Sequence, residues 1–330
     1  MKNYLLLFLF SILIQPLFAQ EKKTVVSTAS IFADMAEVLA GDLLEVKTIV
    51  PIGGDPHLYE PTPADAKLVA DADLVLKNGL TFEGWLNELI ENSGTKAEVK
   101  LITEGIQPIE SLTYENSSDP HAWMNAENGL IYIKNIKDAL VQLDPANADK
   151  YEFNYAYYRQ QIQDVNQFIK KEIAKIPTER RIIITSHDAF QYYGRAYGLR
   201  LEAVLGTSTD AEVQVSDIQR LTKVIKESGI PAVFIETTVN PKLLQQLATD
   251  NDVEIGGKLY SDSIGDKDSS APTYLDMLKY NTNTIVAALT KEKKGKEIAE
   301  KEDEESNILL YGVLGALLIG GFLFVARKMA

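Results

Sequence analysis

Between Pro145 and Ile176 the chain runs about thirty residues without a glycine or an internal proline, which predicts one helical rod of roughly 45 Å. That is too long for an ordinary domain helix, and 330 residues allow two domains with proper cores. Tyr151, Tyr155, Tyr158 and Ile162 recur along it at helical spacing and read as packing material.

Both flanks alternate short β-rich runs with amphipathic helices. Before the rod come strands over Thr24 to Ser27, Leu44 to Val50, Leu74 to Leu76 and Val99 to Ile102. Helices over Ile31 to Leu39, from Thr62 (capped with Asp65), over Phe82 to Ile90 and over Asn128 to Leu143 separate or follow them. After the rod come strands over Arg181 to Thr185, Leu201 to Val204, Ala232 to Ile235 and Val253 to Ile255. Their helices are Phe190 to Tyr197, a segment capped by Ser216, a segment from Pro241 and Thr273 to Leu289. This β-α alternation implies parallel sheets with right-handed crossovers.

Three histidines occur in the 330 residues. His57 lies in Gly53-Gly54-Asp55-Pro56-His57-Leu58-Tyr59-Glu60-Pro61, His121 in Asp119-Pro120-His121, and His187 in Thr185-Ser186-His187-Asp188. Each alone is better explained by a structural role; together, in loops with acidic neighbours, they fit a shared metal site. All three follow strands, as does Asp262, and ligands of open α/β sheets bind beyond the carboxyl ends of strands. With two such residues on each side of the rod, the site is expected between the halves. Asp188 and Glu236 compete with Asp262 for the carboxylate place; otherwise they, with Asp55 and Glu60, orient an imidazole or neutralise the cation.

Other chemistries find little support. There is no cysteine nucleophile and no Gly-x-Ser-x-Gly elbow for acyl transfer. A net charge of −14 argues against nucleic acid, and suits a cation ligand as readily as it serves solubility.

These residues resemble the metal-binding component of zinc and manganese ABC importers, the TroA, ZnuA and PsaA kind, over almost all of Thr24 to Thr290. The motifs that carry the resemblance are Gly54-Asp55-Pro56-His57 with Tyr59-Glu60-Pro61, Asp119-Pro120-His121-Ala122-Trp123, Ser186-His187-Asp188-Ala189-Phe190 with Tyr193, and Gly257-Lys258-Leu259-Tyr260-Ser261-Asp262-Ser263. The resemblance implies His57, His121, His187 and Asp262 as the four ligands. It also implies two lobes, each with a four-stranded parallel α/β sheet, joined by one long backbone helix. With histidine at the third place, Zn²⁺ ranks ahead of Mn²⁺. Partners would be an importer permease and its ATPase, with this chain a monomer.

The ends of the chain add a location. Met1 to Ala19 reads as a signal peptide, and Ile308 to Ala326 is an uncharged run of about 28 Å followed by Arg327-Lys328. The expected layout is therefore a signal peptide (1–19), a first lobe (20–143), a linking helix (144–177) and a second lobe (178–290). A charged linker (291–307), a C-terminal transmembrane anchor (308–326) and a cytoplasmic tail (327–330) follow, placing the metal-binding part outside the cytoplasmic membrane. With no cysteine, lipid attachment at an N-terminal cysteine is excluded for these 330 residues. Two other functions compete: a metal-binding surface adhesin, and a zinc hydrolase with Glu60 as base.

Overall fold

The computed structural model describes residues 22–110, 117–210 and 213–291. The expected signal peptide, anchor, cytoplasmic tail and all of the charged linker beyond Lys291 lie outside them. Among the described residues no helix is long and apolar enough to cross a membrane.

The first half is built on four parallel strands: β1 (Thr24–Ser27), β2 (Glu45–Thr48), β3 (Leu74–Lys77) and β4 (Glu98–Leu101), in the order β2-β1-β3-β4. Val25 of β1 pairs with Val46 and Leu74. Alternate residues enter different cores, because side chains point to opposite faces of a strand and helices cover both faces. Val25, Leu74 and Leu76 join the main core, whereas Val26 and Val75 meet Val69, Leu86 and Leu89. The helices are α1 (Ser30–Ala40), α2 (Pro63–Ala70), α3 (Leu86–Ser93) and α4 (Ala126–Leu143). The capping box at Thr62 and Asp65 forms as its sequence implies.

The third helix starts later than its spacing suggests, at Leu86 instead of Phe82. Gly79, Leu80 and Thr81 all take positive φ, and the buried Glu83 carboxylate accepts the backbone N–H groups of Asn78 and Gly79. The segment is a tied turn before it becomes a helix.

The rod is α5 (Ala148–Ile173), 26 residues and about 39 Å, preceded by a separate 3-10 turn over Pro145–Asn147. Tyr151, Tyr158, Ile162, Val165, Ile169 and Ile173 are buried along one side, with Tyr155 partly covered. It packs against α1, α4 and the final helix, so one continuous core runs through both halves of the chain.

The second half contains β5 (Ile182–Thr185), α6 (Gln191–Tyr197), β6 (Arg200–Ala203), α7 (Val215–Ser228), β7 (Ala232–Glu236), α8 (Lys242–Asp250), β8 (Glu254–Leu259) and α9 (Tyr274–Leu289). The single four-stranded sheet expected here is instead two parallel pairs, β5-β6 and β7-β8. β5 lies beside β7 through side chains such as Ile184, Val233 and Ile235 rather than through a backbone ladder. At their shared end the His187 amide donates to the Glu236 side chain, not to a neighbouring strand. The cap of α7 is Gln214 with Asp217, not Ser216. In β8, Gly256 is the bulge residue between two pairings; a Cβ there would approach Ala288, Phe234 and Ala232 to within 2.7–2.9 Å.

Candidate metal centre

Both Asp-Pro-His tripeptides fold into the same local device. The Asp55 carboxylate accepts the backbone N–H of His57 at 2.9 Å, and Asp119 does the same for His121 at 2.9 Å. Proline fixes the middle residue, so the aspartate two places back closes a small turn that holds the histidine root. Asp55 is tied further by Thr209 Oγ1, which donates to its other oxygen at 2.7 Å.

His187 follows β5 and Asp262 follows β8, and both are buried with no more than 1% exposure. The imidazole Nε2 atoms of His57 and His121 lie 3.2 Å apart, and those of His187 and His121 3.3 Å. Asp262 Oδ1 stands 3.3 Å from His121 Nε2 and 4.0 Å from His57 Nε2, while Oδ2 is 3.3 Å from His187 Nε2. All four donors fall within 4.8 Å of one another. A tetrahedral ion with ligand bonds of about 2.0–2.1 Å needs donors roughly 3.3 Å apart, which four of these five separations meet. Asp262 Oδ1 is buried without a well-aimed donor, a lone-pair site suited to a cation.

The far side of two rings is held by carboxylates. Asp119 Oδ1 is 2.8 Å from His121 Nδ1, and Glu236 Oε2 is 2.8 Å from His187 Nδ1. At His121 this hydrogen bond favours the proton on Nδ1 and turns Nε2 toward the cluster, whereas Glu236 approaches His187 Nδ1 as an ion-pair partner without hydrogen-bond alignment. Phe82 stands edge-on to His57 with ring centres 5.2 Å apart, and Trp123 lies 5.3 Å from His121.

The electrostatics follow from this packing. Burial pulls His57 down to about 3, outweighing the attraction of Asp262. Burial also opposes charge on His121, but Asp119 and Asp262 outweigh it and lift the ring to about 9. For His187, Glu236 and Asp262 likewise overcome burial and raise it well above the usual range. Burial opposes the Asp262 carboxylate too, yet His187 and His121 hold it well below the ordinary value.

The residues singled out from the sequence divide clearly. His57, His121, His187 and Asp262 come together; Asp55 and Glu236 stand behind His57 and His187. Asp188 is buried but accepts from Gln191 and touches neither ring through a hydrogen bond. Glu60 is exposed and stands outside the cluster, against the expectation that it supports His57. Asp119 was missing from the expected supporting residues although the repeated tripeptide signalled it. Asn78 and Trp85, which bind the peptides of the ligand loops, have no local signature, whereas Trp123 stands in the His121 motif without any sign of its bond to Ser261.

The chain matches the family model described as "Zinc-uptake complex component A periplasmic" over residues 25–288. It is 38% identical over 268 residues to the "Manganese-binding lipoprotein MntA" of Halalkalibacterium halodurans, covering 81% of this chain and 88% of that protein. It is 35% identical over 282 residues to the "Manganese ABC transporter substrate-binding lipoprotein PsaA" of Streptococcus pneumoniae, covering 83% and 91%. Among solved structures it resembles the periplasmic zinc binding protein TroA from Treponema pallidum, with a TM-score of 0.78 and 33% identity, over 82% of this chain and 100% of that one. A Mn-bound periplasmic metal binding protein from Candidatus Liberibacter asiaticus gives 0.75 and 34%, over 81% and 100%.

Proposed function

The chain belongs to the zinc-uptake complex component A family, the substrate-binding components of metal ABC transporters, and from that premise we propose that it captures one divalent metal ion with His57, His121, His187 and Asp262 and hands it to an importer's permease and ATPase. The observation that carries this reading is the convergence of four donors, two from each side of α5, within 4.8 Å. As a transporter component the chain is not an enzyme. The adhesin alternative gains no support from a buried, fully liganding cluster.

Zinc leads on the donor set alone, since three imidazoles and a carboxylate suit four-coordination. Relatives named for manganese remove the ground for that ranking, so the proposed cargo is Zn²⁺ or Mn²⁺, with cellular availability deciding between them. The layout proposed is a lobe over 20–143, a linking helix over 144–177 and a lobe over 178–290.

Those relatives are named as lipoproteins, whereas this chain has no cysteine to carry lipid. The run 308–326 is proposed to take over the tethering, after export directed by 1–19. Membrane fractionation of the full-length chain and of one ending at residue 307 tests this; equal membrane retention would remove the idea.

The reading as a whole is tested by metal stoichiometry and affinity of the full-length chain in separately buffered Zn²⁺ and Mn²⁺. One ion per chain, lost in His187→Ala, is the expected result. No tight binding of either metal overturns it.

A further inference from the structure

The sequence has two tryptophans, and both indoles do the same thing. Trp85 Nε1–H donates to the carbonyl of Pro56 at 2.8 Å, and Trp123 Nε1–H donates to the carbonyl of Ser261 at 2.9 Å. Pro56 immediately precedes His57, and Ser261 immediately precedes Asp262.

The physical consequence comes from the planarity of the peptide unit. The carbonyl of one residue and the Cα of the next lie in one rigid plane, so fixing the carbonyl fixes the root of the following side chain. Asn78 does the same for His121 by donating from Nδ2 to the Pro120 carbonyl at 3.1 Å. At His187 the plane is held from its other end, where the backbone N–H donates to Glu236 at 2.8 Å. All four liganding residues therefore hang from a peptide plane that at least one side chain pins, and at His57 and His121 the aspartate on the N–H pins it from the other end.

The two indole pins differ in reach. Trp85 is half-buried, its ring lies 5.3 Å from Tyr59, and its bond stays within the first half. Trp123 is fully buried, with its ring on His121 and its N–H on the Asp262 loop of the second half, 138 positions away. Its own carbonyl accepts from Tyr274 Oη at 2.6 Å, which fixes the strut at a third point. Packing alone would explain buried rings, but not two N–H groups aimed at the two carbonyls that precede ligands.

We infer that Trp85 and Trp123 are positioning residues for metal capture, each indole N–H holding the peptide plane from which a liganding side chain is hung. The inference rests on the metal-binding reading above. Trp123 thereby couples His121 to Asp262 across the site, and Trp85 steadies the more exposed His57 loop.

The test replaces the N–H and keeps the ring. The full-length chain is produced in a tryptophan auxotroph supplied with β-(3-benzothienyl)alanine, which carries sulfur in place of the indole N–H. Zn²⁺ alone is the probe, with affinity read by chelator competition and dissociation by stopped flow. Expected is unchanged circular dichroism with zinc leaving about ten-fold faster or more, the size expected for one or two lost hydrogen bonds. A Trp85→Phe background confines the analogue to Trp123 and apportions the effect. Dissociation within two-fold of the unsubstituted chain overturns the inference.

Should the analogue prevent folding, the unsubstituted chain decides through its two indole ¹⁵N–¹H resonances during zinc titration. Both shifting to new positions at one equivalent supports the inference, and both remaining fixed while zinc binds overturns it. An unsubstituted chain that takes up no zinc, and no manganese in the parallel assay, sinks the metal-binding reading instead.

Discussion

Asp119 holds His121 twice: its Oδ1 lies 2.8 Å from the ring Nδ1 and accepts the residue's own backbone N–H at 2.9 Å. One carboxylate therefore sets both the root and the tautomer of the imidazole. Asp119→Asn keeps an acceptor oxygen but loses the charge behind the ring, and metal affinity should fall about 10- to 100-fold. Chelator competition checks this, and an unchanged affinity would mean that His121 needs no such support.

Thr209 reaches 154 positions back to bond Asp55, and Gly53 N–H donates to Ser263 Oγ at 2.8 Å, so the His57 loop is clasped from both sides by the second half. Thr209→Val removes one clasp at nearly constant volume. The expected result is metal dissociation about five- to ten-fold faster with little change in melting temperature. Equal dissociation rates would show that the clasp does not hold the loop.

Gly194 sits in α6 where a Cβ would come 2.7 Å from the Leu199 carbonyl oxygen and closer still to the Leu201 side chain. Backbone cannot swing aside as a side chain does. Gly194→Ala should destabilise the protein by about 1–3 kcal/mol, seen as a lower midpoint in urea with the slope unchanged.

Asp34 of α1 is buried with its carboxylate against the start of α9, accepting the Tyr274 N–H at 2.9 Å, and faces Glu37, Asp276 and the Tyr158 ring with no cation among them. Burial lifts its carboxyl to about 7. The folded state thus keeps a proton that the unfolded chain, titrating near the ordinary value of about 4, has released, so stability falls as pH rises from about 4 to 7 and stays lowered above. Asp34→Asn retains the acceptor and removes the titration. Its stability should match the parent near pH 4 and exceed it at pH 8, by an amount of the order of a few kcal/mol. Parallel stability–pH curves for the two chains would refute this.

Metal should stabilise the fold by an amount that rises with the logarithm of the free ion concentration above the dissociation constant. At free Zn²⁺ one hundred times the dissociation constant, linkage gives about 2.7 kcal/mol, and chelator should remove it. His187→Ala should show no such rise in melting temperature, and an equal rise would place the ion elsewhere.

The alternation of strands and helices, the long rod and the capping box at Thr62 were all legible in the sequence. Each depends on periodicity or on residues within a few positions of one another. The Asp-Pro-His repeat was legible for the same reason, since Asp55 and Asp119 close turns on histidines two places away. Boundaries failed where irregular or distant partners intervened: at the start of α3 Glu83 is tied to Asn78 and Gly79, and in the second half β5 and β7 meet through side chains, with the His187 amide turned to Glu236 just past the end of β5.

By itself, then, the sequence determined the α/β class and the kinds of side chain offered to a ligand. Tertiary structure decided which of several carboxylates joined the imidazoles, leaving Glu60 in solvent, turning Asp188 to Gln191 and bringing Asp262 to three Nε2 atoms. It also decided that both indoles would hold ligand peptides, one across 138 positions. Local bonding is fixed by neighbours along the chain, but a hydrogen bond to a carbonyl carries no trace of the residue that bears it, so only the packed chain could reveal these partners.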